Sequence, residues 1–175
     1  NTKGKPLVAD VSSCFLSEPV DVTKYGMLYG GAQKNVGPAG VVIAIIREDL
    51  ITEDVLPGTP TMLRYHIHRD NGSMYNTPPA YGIYICGKVF KWLKEMGGLE
   101  AMKEYNVKKA QVLYDFLDSS TFFRGTVEKK DRSLMNVPFV TGDKDLDAKF
   151  VKAADAAGFK NLKGHRSVGG MRASI

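Results

Sequence analysis

The run Val41-Val42-Ile43-Ala44-Ile45-Ile46 constrains this chain more than any other stretch. All six side chains are apolar and five are β-branched, with Gly40 before them and Arg47 after. β-Branched residues favour extended backbone, and an unbroken apolar run this short fits a strand with both faces covered. A helix crossing a bilayer needs roughly 20 apolar residues, so no membrane partner is expected.

Two apolar segments precede the run. Pro6-Leu7-Val8-Ala9-Asp10 reads as a short buried parallel strand ending in a carboxylate, and residues 25–31 read as a second strand ending in glycines. Residues 51–76 have weak periodicity and several Gly, Pro and Asn, so they are expected to be mostly loop. Pro78-Pro79 opens a helix that Gly97-Gly98 ends, with Tyr81, Ile85, Val89, Trp92 and Leu93 on its buried face. A second helix is expected over residues 99–118, burying Ala101, Tyr105, Val107, Ala110, Val112, Leu113 and Phe116 and long enough to bridge two domains. Residues 122–127 and 134–139 look like strands around a charged turn. Residues 143–157 have helical spacing, and 162–175 read as strand, Gly-rich turn and strand. Strands with helices between them argue for an α/β architecture.

Composition narrows the class. The 175 residues are 43% hydrophobic and 25% charged, which excludes a disordered tail, a collagen-like chain and a coiled coil. The 24 Lys and Arg against 19 Asp and Glu give a net charge of +5, but the two signs are interleaved, so nucleic acid is not the expected partner. Cys14 and Cys86 have no recognisable pairing and read as small buried hydrophobes, free thiols in a reducing, cytoplasmic setting. No secretory signal pattern opens the chain. The lack of an initiator Met, and an apolar-alternating run that stops at Ile175, point to part of a longer polypeptide. His66-Ile67-His68 places two imidazoles on one face of an extended segment, but without a third ligand nearby no metal is expected.

Lys34 is the one long cationic side chain in Gly30-Gly31-Ala32-Gln33-Lys34-Asn35-Val36-Gly37-Pro38-Ala39-Gly40, between two expected strands. Small neighbours let a planar ligand approach the backbone, and burial would lower the lysine pKa towards the nucleophilic range. The plain alternative is an exposed loop lysine. Asp10 ends an apolar strand, where a carboxylate is costly without a positive partner. This pair suits pyridoxal phosphate: the lysine forms a Schiff base with the aldehyde, and the acid keeps the ring nitrogen protonated. Against that stands Asp10 as an Asx turn or helix cap before Ser12 and Ser13.

Four segments carry a family resemblance: Val8-Ala9-Asp10-Val11-Ser12-Ser13, Tyr29 to Gly40, Tyr75-Asn76-Thr77-Pro78-Pro79, and Gly164 to Ser174. In this order they resemble the phosphoserine aminotransferases, over essentially the whole chain. The resemblance implies an aspartate-aminotransferase-like fold of type I. Residues 1–98 would be the C-terminal part of a large, mostly parallel-sheet cofactor domain, and residues 99–175 a small, incomplete C-terminal α/β domain. It implies a cytoplasmic homodimer with shared active sites, and pyridoxal phosphate as cofactor. The reaction would interconvert phosphoserine and 2-oxoglutarate with 3-phosphohydroxypyruvate and glutamate in serine biosynthesis. Lys34 matches the Schiff-base lysine, Asp10 the partner of the pyridinium nitrogen and Gln33 a contact to the cofactor phosphate. Asn76 and Thr77 match residues reaching the phosphate of the neighbouring subunit's cofactor, and a helix N-terminus capped by either is the plain alternative. Arg172, expected to be buried by its flanks Met171 and Ala173, matches the fork for the substrate α-carboxylate. His165 and Arg166 match residues near the substrate phosphate, with a surface glycine turn and a solvated charge as their plain alternatives. The N-terminal half of such a protein is absent, so uncovered apolar surface and no turnover by the chain alone are expected. Remaining alternatives are a serine–glyoxylate aminotransferase, a cysteine desulfurase-like enzyme, or a non-catalytic basic binding module.

Overall fold

Within residues 25–31 the large side chains of Met27, Leu28 and Tyr29 stand between Gly26 and the pair Gly30-Gly31, and this segment becomes the middle strand of a three-stranded sheet. The computed structural model describes residues 2–175. They fall into two units, one ending at Met96 and one running Gly97–Ile175. In the first, β1 (Val8–Asp10) pairs in parallel with β2 (Met27–Gly31), placing Asp10 opposite Tyr29. Strand β3 (Val42–Ile46) pairs with β2 antiparallel, Gly31 opposite Val42. The ten residues between β2 and β3 contain no crossover helix, so the chain can only fold back on itself.

That geometry corrects the expectation of a doubly covered β3. It is an edge strand, with Val42 69% and Ile45 42% exposed. Only Ile43 packs partly against the cluster of Ala32, Val36, Val41 and Cys86. Residues 51–76 are also more ordered than their composition suggests, because a short helix, α1 (Tyr65–Asp70), forms within them. Helical backbone sets residues two apart on opposite sides, so His66 and His68 do not share a face. The buried His66 places Nδ1 3.1 Å from the carbonyl of Thr52, and His68 Nε2 lies 2.8 Å from that of Met62. No metal-ligating cluster occurs among the described residues.

Helix α2 (Ala80–Glu95) buries Gly82, Cys86 and Leu93. Tyr81 and Trp92, expected inside, are 74% and 51% exposed. Small residues at i and i+4 allow close approach to the loop before β3, where a Cβ on Gly82 would lie 2.7 Å from Val41 Cγ2. Large aromatic rings do not fit that seat and face outward. Cys86 is buried as expected, whereas Cys14 is exposed on the loop after β1.

In the second unit α3 (Gly98–Ser119) buries Met102, Asn106, Ala110, Tyr114 and Leu117, a stripe of spacing four, four, four and three. Tyr105, Val107, Val112 and Phe116 are exposed, contrary to expectation. The buried stripe includes polar members that hydropathy alone passes over, and Tyr114 satisfies its hydroxyl by donating to the Ser133 carbonyl at 2.8 Å. Strands β4 (Arg124–Gly125), β5 (Asn136–Val140) and β6 (Met171–Ser174) form an antiparallel sheet in that order. Val137, Phe139 and Met171 pack with Ala110, Tyr114 and Leu117 into one core. Helix α4 (Lys144–Ala156) begins at Asp143, whose carboxylate accepts from the amides of Asp145 and Leu146 at 2.7 and 3.2 Å. Among the described residues no helix is long and apolar enough to cross a membrane.

Candidate functional site

The loop carrying Lys34 is held by its two apolar members. Ala32 and Val36 stand at i and i+4 of a single helical turn, where the Val36 amide donates to the Ala32 carbonyl at 3.1 Å. Both are buried, at 0% and 1% exposure. Anchoring the positions on either side directs Gln33 and Lys34 outward, and both are exposed. This corrects the expectation of a buried lysine: the small residues of the loop leave room above Lys34 and do not enclose it. Asn35 fixes the loop from its other side by donating from Nδ2 to the Phe15 carbonyl at 2.7 Å.

Asp10 lies at the same end of the sheet. It too is exposed rather than buried, because β1 is an edge strand. Its Oδ1 accepts the Ser12 amide at 2.9 Å and the Ser12 hydroxyl at 2.6 Å, which is an Asx turn. These bonds hold the carboxyl below the usual carboxylate range, chiefly through the hydroxyl and then the amide, with a smaller contribution from the charge of Lys34. The Asx turn and the field of Lys34 therefore coexist on one carboxylate. Ser12 is the residue whose part sequence reasoning missed. Its hydroxyl oxygen also accepts the Gly31 amide at 3.0 Å, joining the end of β1 to the start of the lysine loop. The available signal was the Asp-x-Ser spacing, which favours such a turn.

Asn76 and Thr77 are exposed in the segment leading to α2. Neither caps that helix, since its N-cap is Pro79 and lacks a side-chain bond, so the capping alternative is set aside. Asn76 Nδ2 makes a long 3.4 Å bond to the Thr77 carbonyl.

Three predicted residues lie in the second unit. Arg172 is exposed, contrary to the expectation of burial. Strand alternation turns Met171, 1% exposed, into the core, and it turns Arg172 onto the opposite face. His165 and Arg166 sit exposed in a tight turn whose His165 carbonyl accepts the amides of Val168 and Gly169. The Ser167 amide donates to His165 Nδ1 at 3.3 Å, and the Ser167 hydroxyl lies 2.7 Å from the same nitrogen. Gly164 is required beneath this turn: a Cβ there would stand 2.0 Å from the Gly169 carbonyl oxygen. His165 and Arg166 border a cavity of about 620 Å³ that Arg124, Lys144 and Lys163 also line. Its one acid, Asp147, already accepts the Thr141 amide and hydroxyl at 2.8 and 2.7 Å, so the cavity presents cations to whatever enters.

These features have relatives. The family model for class-V aminotransferases matches residues 1–175. A phosphoserine aminotransferase of Nitrosomonas europaea is 58% identical over 175 residues, which cover the whole of this chain and 48% of that protein. Among solved structures, the phosphoserine aminotransferase of Bacillus circulans subsp. alkalophilus aligns at a TM-score of 0.91 and 50% identity, over 98% of this chain and 48% of that one. The enzyme from Trichomonas vaginalis, solved with pyridoxal phosphate bound, aligns at 0.90 and 42% identity, over 98% and 49%. The chain thus spans about half the length of the curated relatives it matches. The expected α/β architecture, fold type I in part, is the fold these structures share with it. With the family model matching from end to end, the chain belongs to the class-V aminotransferases.

Proposed function

We propose that this chain supplies the lysine, the ring-nitrogen acid and part of the anion-binding surface of a pyridoxal phosphate-dependent phosphoserine aminotransferase. The enzyme would transfer an amino group between phosphoserine and 2-oxoglutarate, giving 3-phosphohydroxypyruvate and glutamate in serine biosynthesis. The observation that carries this reading is Asp10, kept ionised at the sheet end that also presents Lys34. A charged carboxylate fixed there fits a protonated heterocyclic nitrogen, and a neighbouring primary amine fits an aldehyde. The identity to phosphoserine aminotransferases along the whole chain supports the same reading.

Bound pyridoxal phosphate supplies an aldehyde that accepts amines and a protonated ring that draws electrons from the substrate α-carbon. Lys34 would hold the cofactor through Nζ, and its amine would carry the proton at the substrate α-carbon. Asp10 keeps the proton on the ring nitrogen. Gln33 offers an amide N–H to phosphate oxygens. Asn76 and Thr77, exposed and not used as caps, would serve the cofactor phosphate of a second subunit, in a working unit read as a cytoplasmic homodimer with shared sites. Arg172 binds the substrate carboxylate through its planar fork, and His165 with Arg166 selects a phosphorylated substrate.

The test is turnover with phosphoserine against serine in the holoenzyme. We expect phosphoserine to be strongly preferred, and Arg166→Ala to erode that preference by about ten- to a hundredfold, the value of one charged hydrogen-bonded contact. Equal use of serine by the wild-type protein contradicts the substrate assignment.

A further inference from the structure

We propose that Ser12 is a positioning residue for the cofactor acid: its hydroxyl fixes Asp10 in one orientation and ties it to the strand leading into Lys34. The inference rests on the reading of Asp10 as the partner of the cofactor ring nitrogen. Oδ1 of Asp10 accepts both Ser12 donors, the amide at 2.9 Å and the hydroxyl at 2.6 Å. That leaves Oδ2 as the oxygen available to face the ring nitrogen.

The hydroxyl works in both directions. It donates to Asp10 and accepts the Gly31 amide at 3.0 Å, so a chain of hydrogen bonds runs from the backbone of β2 through Ser12 to the carboxylate. Gly31 lies three residues before Lys34 on the same chain segment. Ser12 therefore adds a side-chain link between the acid and the strand leading to the amine, beside the backbone pairing of β1 with β2. The link is built closely. A Cβ on Gly30 would meet the Ser12 backbone nitrogen and Cα at 3.3 Å, a tight contact that would push Ser12 by a few tenths of an ångström. A lone Asx turn needs only the backbone amide of residue i+2. The added side-chain bond is the stronger influence on the carboxyl, and it is what distinguishes serine from most residues at this place.

Removing the hydroxyl takes a charge-assisted bond from Asp10 and leaves the Gly31 amide without its acceptor. The carboxylate then keeps only the backbone amide of its two local donors, so it is held less tightly and binds the ring proton less firmly. The test uses the holoenzyme reconstituted with pyridoxal phosphate isotopically labelled at the ring nitrogen. In Ser12→Ala we expect the ring-nitrogen resonance to move towards the unprotonated position and the cofactor dissociation constant to rise about tenfold or more. Ser12→Cys, similar in size but a weak donor, is expected to shift both in the same direction. Ser12→Thr keeps the hydroxyl and should restore both, and Ser13→Ala should leave both unchanged. A purely structural role would lower the melting temperature without moving the resonance. Wild-type resonance and affinity in Ser12→Ala or Ser12→Cys, or a Ser12→Thr protein that behaves like Ser12→Ala, overturns the proposal. If the wild-type holoenzyme itself shows no protonated ring nitrogen, the reading of Asp10 fails first.

Discussion

In the proposed site Asp10 and Lys34 would work as a pair, because Ser12 holds the carboxyl below the usual carboxylate range and Lys34 is a primary amine on an anchored turn. The acid is held by Ser12 and the turn by Ala32 and Val36, and the Ser12 hydroxyl joins the acid to the strand that leads into that turn. Replacing Lys34 by Ala should remove the visible band of the bound cofactor. It should also lower turnover by about 10²–10⁴-fold or more, since the proton carrier at the α-carbon is lost. Absorption spectra and steady-state rates check both. Asp10→Asn keeps the shape but donates as well as accepts, so cofactor affinity should fall about ten- to a hundredfold in equilibrium dialysis. Both residues stand out in the sequence as candidates, because a carboxylate closing an apolar strand and a lysine among glycines are chemically unusual. Their exposure was not legible, because it depends on β1 being an edge and on which loop positions are anchored.

The elements of the second unit show what patterning can and cannot give. Helices α3 and α4 and strand β5 follow from their periodicity. The buried face of α3 does not, because Asn106 and Tyr114 belong to it and Tyr105 and Phe116 do not. The same holds for α2, where Gly82 and Cys86 form the seat and the aromatic residues face outward. Met171, 1% exposed at the centre of the second core, anchors β6 and hence the strand bearing Arg172. Met171→Ala should destabilise this unit by about 2–5 kcal/mol in chemical denaturation, the cost of a large-to-small change in a packed core. A pH dependence belongs to α3 as well. Asp118 accepts Arg132 at 3.0 and 2.5 Å and lies 3.0 Å from Lys129, and Arg132 stacks over Tyr114 at 4.5 Å. Arg132 and then Lys129 hold the Asp118 carboxyl far below the usual range. A depressed folded pKa contributes stability that is complete above the unfolded value near 3.9 and is lost as pH falls below it. Asp118→Asn should therefore melt below wild type at neutral pH, and the gap should narrow as pH is taken from about 4 downwards. A gap independent of pH would contradict the linkage.

The whole chain covers about half of its relatives, and its surface reflects that. Val42 and Ile45 on β3, and Tyr81, Tyr84 and Trp92 on α2, are exposed apolar side chains of a kind that marks an interface. In the proposed homodimer such surface is where further polypeptide packs, and the chain expressed by itself should show no transamination in a coupled assay. Family and fold were legible from four short motifs, because the chemistry fixes those residues closely. How much of the surface stays uncovered was not, since β3 reads like an interior strand whether or not another element lies over it. The most direct measurement is borohydride reduction of the cofactor-loaded protein followed by peptide mass mapping. A pyridoxyl phosphate group on the peptide containing Lys34, and its loss in Lys34→Ala, is the predicted result. The group on another lysine, or on none, would contradict the assignment of Lys34 as the cofactor's anchor.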